Sequence, residues 1–178
     1  MKKILIIIAL TIATALSMEA SAQSLIGKWR ATSDQQTAIF ESMGAEIEKT
    51  TSVMNFDKSS MYIISYYTRA SIDIMDIKMH MSVKCIEKGF WSCEDSVVTM
   101  TPKYIDFVEF DVTFSDPDFN YLSKEIEDSV KKSLQAGLNL NIPFKLSFNG
   151  NNKATLLFDN ELAPLEYKLT RIEYITIE

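Results

Sequence analysis

The chain has 178 residues, 47% hydrophobic, 24% charged and 11% aromatic, with five Gly, four Pro and two Cys; extended disorder, collagen-like repeats and a disulfide-dense miniprotein are excluded. The net charge is −6, or −7 once Lys2, Lys3 and Glu19 leave with the leader described next, which argues against nucleic acid or an anionic membrane as main partner. Without that leader 156 residues remain, the size of one domain with a core.

Lys2 and Lys3 precede an apolar run from Ile4 to Leu16, and Ala20-Ser21-Ala22 supplies the small residues a signal peptidase accepts. Residues 1–22 therefore read as an export signal and 23–178 as a single mature domain. The run has 13 residues, short of the roughly 20 that cross a bilayer as a helix, and no second run of that length follows. A lipoprotein would need a Cys just after the cleavage site, where Gln23 stands. The expectation is a periplasmic or extracellular protein with no transmembrane segment after cleavage.

From Leu25 onward apolar and polar residues alternate with period two between polar turns, the pattern of antiparallel strands with one wet face. Leu25-Ile26-Gly27-Lys28-Trp29 opens the first strand. Thr37 to Lys49 holds Ile39, Phe40, Met43 and Ile47 at helical spacing, interrupted by Gly44. Met75, Ile77, Met79, Met81, Val83 and Cys85 then alternate with polar residues, as do Leu140, Ile142, Phe144, Leu146 and Phe148. Turn chemistry recurs at Asp57–Ser60, Glu94–Ser96, Asn149–Asn152 and Asp159–Glu161, which cuts the chain into about eight to ten strands. One amphipathic helix is inserted among them. It runs from Pro117 to Ala136, with Asp116 as cap, Gly137 as left-handed stop, and Leu122, Ile126, Val130 and Leu134 as its apolar stripe.

Catalytic constellations are sparse. The one histidine, His80, lies on the polar side of its strand, and there is no GxSxG elbow or Gly-rich phosphate loop. Asp106, Glu109 and Asp111 cluster, yet acids on an exposed strand face are common and carry no pairing signal. The expectation is no enzyme, no metal and no cofactor. Cys85 and Cys93 flank Glu87-Lys88-Gly89, where a strand could turn back on itself; the expectation is a Cys85–Cys93 disulfide across that turn, with two thiols on the apolar face as the alternative.

Gly27 and Trp29 form a GxW at the start of the first strand of an exported, strand-rich chain, and Arg171 falls in the last strand. In this the chain resembles the lipocalins, and more closely the divergent lipocalin-like domain proteins exported by bacteria. The resemblance implies an up-and-down antiparallel β-barrel in which Trp29 plugs the closed end and Arg171 packs across it. Two features depart from the family: the helix lies between strands instead of after them, and the second turn motif has no clear counterpart.

Three function classes follow: a carrier of a small apolar molecule, a protein-binding or structural module with a filled core, and, weakest, an enzyme. For a carrier, Met75, Met79 and Met81 with Trp91 and Phe107 are the expected lining, although Met and aromatic residues suit a packed core equally well. The same register places Tyr62, Tyr66 and Phe90 off the inner face, as a candidate patch for a protein partner.

Overall fold

The computed structural model describes residues 23–34, 44–74, 76–159 and 165–172. Within them the strands are β1 (Gly27–Thr32), β2 (Ala45–Phe56), β3 (Met61–Ile74), β4 (Ile77–Glu94), β5 (Val97–Phe114), β6 (Ile142–Phe148), β7 (Lys153–Phe158) and β8 (Leu165–Arg171). Each pairs antiparallel with its sequence neighbour and β8 pairs with β1, closing an eight-stranded up-and-down barrel. Closure leaves no unpaired sheet edge in the barrel wall. This is the up-and-down antiparallel barrel expected from the sequence.

Polar residues make the turns. Asp57 Oδ1 accepts from the Ser59 amide at 2.8 Å, the Ser59 hydroxyl at 2.7 Å and the Met61 amide at 3.0 Å, holding the β2–β3 reversal. These bonds, the Ser59 hydroxyl foremost, stabilise the carboxylate and lower its pKa. Asp76, Asp95 and Ser96 take positive φ in the next two turns, a conformation short polar side chains tolerate.

The strands differ in length, and this shapes the molecule. β5 meets β6 only from Val97 to Met100, whereas β5 and β4 stay paired as far as Phe114 and Met79. The first half of β2, the second half of β3, the first half of β4 and the second half of β5 therefore extend past the barrel as a four-stranded apron. A 3-10 turn, Pro117–Leu122, leads into helix α1 (Ser123–Gln135), which packs on the apron along β5. Lys131 lies over the Phe107 and Phe110 rings, 5.4 and 5.5 Å from their centroids, and is paired with Glu127. Phe119 meets Phe114.

Several expectations are corrected. Residues 45–49 of the expected Thr37–Lys49 helix belong to β2, and Gly44, at φ 80°, is the turn residue that leads into the strand. Residues 37–43 of that stretch, like residues 1–22 and Met75, lie outside the described residues. The Pro117 helix starts as a 3-10 turn, and the left-handed residue after it is Asn139, at φ 68°, not Gly137. The Asn139 amide donates to the Pro102 carbonyl at 2.7 Å and its side chain accepts from Lys103 at 2.9 Å, tying the end of the turn to β5.

No turn separates Cys85 from Cys93. Both lie on β4, which runs unbroken from Ile77 to Glu94, and both are free thiols. Eight residues along a strand separate them by about 26 Å, against the 7 Å that bounds a disulfide. Gly89 is a strand glycine where another group comes close. A Cβ there would stand 2.3 Å from the Thr101 carbonyl oxygen and 2.8 Å from the Tyr62 ring, next to a bulge in the β4–β5 pairing.

Candidate functional site

The two ends of the barrel are built differently. At one, Trp29 is fully buried and its indole N–H donates to the Leu25 carbonyl at 2.7 Å. Arg171, its register partner on β8, lies with its guanidinium carbon 4.2 Å from the centre of the Trp29 ring. The Arg171 fork donates to the carbonyls of Ile26 at 3.0 Å, Asn151 at 3.3 Å and Ser24. Gly27 is required here twice over: its φ is 128°, and a Cβ would sit 2.9 Å from an Arg171 nitrogen. Gly27, Trp29 and Arg171 are thus a structural plug, with cation–π stacking and three chain segments joined by one side chain.

Above this plug, Phe56, Met54, Ile64, Val98, Leu146, Leu156 and Leu169 fill the lumen. Trp91 belongs to this packing: it is 6% exposed, meets Phe56 edge-on at 5.4 Å and donates to the Asp57 carbonyl at 3.3 Å. It packs in the plugged half and is not among the described residues lining the cavity at the other end.

Towards the other end the lumen opens into a cavity of about 360 Å³. β2 and β3 contribute Met54, Tyr62, Ile64 and Tyr66, and β5 contributes Met100 and Pro102. Leu140, Ile142 and Phe144 line the next side, then Leu156 and Phe158 from β7 and Leu165 and Tyr167 from β8. β4 contributes Glu87. Phe144 packs between Phe158 and Tyr167 in tilted contacts, at 5.9 and 6.2 Å between ring centres, making one wall aromatic.

The polar groups converge on β4. Glu87 Oε1 accepts from the Tyr62 hydroxyl at 2.8 Å. Burial raises the Glu87 pKa, and the Tyr62 bond offsets only part of that. Burial, followed by the Glu87 charge, raises Tyr62 and Tyr66 and pushes Tyr167 up to about 12. Among the described residues, the Tyr66 and Tyr167 hydroxyls have no hydrogen-bond partner. Cys85, one step along the same face, is pushed up to about 11 by burial and then by the Glu87 charge, so its thiol stays protonated at neutral pH.

Met79, Met81 and Phe107 do point to the inner side of the sheet, since pairing puts them in phase with Cys85 and Glu87. They lie on the apron, however, with Phe107 under Lys131, and are not among the residues lining the cavity. Tyr62 and Tyr66, expected outside, point in; Phe90, 52% exposed, is outside as expected. β3 misled the reading because Met61, Ile63 and Tyr67 make its outer phase as apolar as its inner one. Glu87 was missed because Glu87-Lys88-Gly89 reads as a turn. Had β4 been taken as continuous, counting by twos from Cys85 to Trp91 would have turned Glu87 inward.

His80 is exposed, 3.6 Å from Glu48, and Asp106, Glu109 and Asp111 are exposed on β5, with Glu109 accepting from Ser82 at 3.0 Å.

No known protein-family profile matches the chain, and no curated protein matches it. Among solved structures it is similar to a redesigned β-barrel, mFAP1, solved bound to DFHBI, with 13% identity over 85% of this chain and 98% of that one and a TM-score of 0.34.

Proposed function

We propose that this chain is an exported lipocalin-like carrier that holds a small, largely apolar molecule in its barrel without transforming it. The observation that supports the reading is the 360 Å³ cavity, within the size range of ligand pockets, with a mostly apolar lining and a few convergent polar groups. Export rests on the basic start, apolar run and Ala20-Ser21-Ala22 of the leader. N-terminal sequencing of the exported protein should read Gln-Ser-Leu, and an intact Met1 would overturn that part.

The carrier reading is tested with the neutral apolar fluorophore N-phenyl-1-naphthylamine. Saturable one-to-one fluorescence enhancement is expected, abolished by Ile142→Trp, which fills the mouth while circular dichroism stays unchanged. Enhancement that survives this replacement, or recovery of a chemically altered probe, would reject it. The alternative, a protein-interaction module, draws on one observation: Met61, Ile63, Phe90 and Tyr104 are exposed on adjoining strands of the outer wall. On that reading Phe90→Ser would abolish partner capture and Ile142→Trp would not.

A further inference from the structure

We propose that the molecule this cavity takes is a cation, an apolar body carrying one protonated amine that docks on Glu87. The proposal rests on the carrier reading above.

Glu87 is the one carboxylate among the described lining residues, and no Lys, Arg or His stands with it. Residues 35–43, 75, 160–164 and 173–178 contain no basic residue, so these stretches have none to offer the cavity. Of the basic residues near the apron, Lys131 is held by Glu127 over the Phe107 and Phe110 rings, and Lys103 by Asn139. The carboxylate is thus left with Tyr62 as its hydrogen-bond partner and with unused lone pairs.

A buried carboxylate without a counter-charge is unfavourable, and a ligand that brings the counter-charge relieves that cost on binding. An ammonium brings three donors. Glu87 can accept one, and the oxygens of Tyr66 and Tyr167, which have no partner among the described residues, can accept the others. The faces of Tyr66, Tyr167 and Phe144 add cation–π attraction, stronger in a desolvated site. A fatty-acid carboxylate would instead place two negative charges in one apolar chamber, each disfavouring ionisation of the other. The acidic balance of the whole chain steers in the same direction.

The test is calorimetric titration with three probes sharing an eight-carbon chain, octylamine, 1-octanol and octanoate, at about pH 8 so that the amine is cationic. Octylamine should bind with a stoichiometry of one, at least about tenfold more tightly than 1-octanol, and octanoate most weakly. Glu87→Gln, which keeps the size of the side chain and its acceptor for Tyr62, should bring octylamine to within about threefold of 1-octanol while leaving 1-octanol unchanged. Tyr66→Phe provides a second variant and should weaken octylamine alone. If 1-octanol or octanoate binds as well as octylamine, or Glu87→Gln keeps the amine preference, the cation proposal falls and the carrier reading stands. If none of the three binds, both fall.

Discussion

The two ends of this barrel use polar groups in opposite ways. At the plugged end the Arg171 charge is spread over three backbone carbonyls and the Trp29 ring, and the indole N–H has its own acceptor. At the cavity end Glu87 keeps Tyr62 as partner, and two further tyrosine hydroxyls have none among the described residues. A satisfied network locks geometry; an under-satisfied one stores binding capacity at a cost in stability. Breaking the first should unfold the protein, whereas relieving the second should stabilise it.

The largest effect is expected from Trp29→Ala. Removing a fully buried indole leaves a cavity beneath the core and should cost about 3 to 5 kcal/mol, measured by denaturant unfolding. A loss under about 1 kcal/mol would mean that the plug is not the fold's anchor. Arg171→Lys comes next, at about 2 kcal/mol, because an ammonium cannot stack on the ring and reach three carbonyls at once. Gly27→Ala, strained at φ 128° and pressed against Arg171, should cost about 1 to 2 kcal/mol, and less in an Arg171→Lys background, which a double-mutant cycle would reveal.

The same contrast explains what could be read from the sequence. The plug was legible because its parts are rare residues at fixed places: a Gly and a Trp opening the first strand and an Arg in the last. β6 was legible because Phe144 and Leu146 alternate cleanly with Lys145 and Ser147. The cavity was not. Its polar centre is one carboxylate in the middle of an 18-residue strand, beside a Gly that looks like a turn until the Tyr62 ring occupying its missing Cβ is seen. Its walls come from strands whose bulges, between Lys84 and Cys85 and between Lys88 and Gly89 on the β4–β5 ladder, shift phase with no local mark. The apron misled for a related reason: Met79 and Met81 do face inward, but strand length, set by how far β5 outruns β6, decides what they face.

At the cavity end the sign reverses. The folded-state pKa of Glu87 is raised, so its carboxylate opposes folding once ionised: the cost is absent below the unfolded-state pKa and grows as pH rises through the folded-state value. The groups around it are Tyr62 and Tyr66 on β3, Cys85 on β4 and Tyr167 on β8, all with pKa raised by burial and all neutral across that range. Glu87→Gln should therefore match the wild type in acid and exceed its stability at neutral pH, seen as diverging melting temperatures. A variant less stable than wild type at neutral pH would show that the carboxylate is paired more fully than Tyr62 alone provides.

The smallest change in stability, with a partial change in function, is expected at Tyr66. Its hydroxyl has no partner among the described residues, so Tyr66→Phe removes no hydrogen bond to any of them and takes an oxygen out of a largely apolar chamber. The melting curve should move by less than about 0.5 kcal/mol in either direction. The aromatic wall keeps its volume, so uptake of a neutral apolar probe should not change. What disappears is an acceptor facing the Glu87 carboxylate, and with it part of the grip on a ligand that has hydrogens to donate. A loss of stability comparable with Arg171→Lys would place Tyr66 among the groups that hold the barrel shut, and would remove the contrast between its two ends.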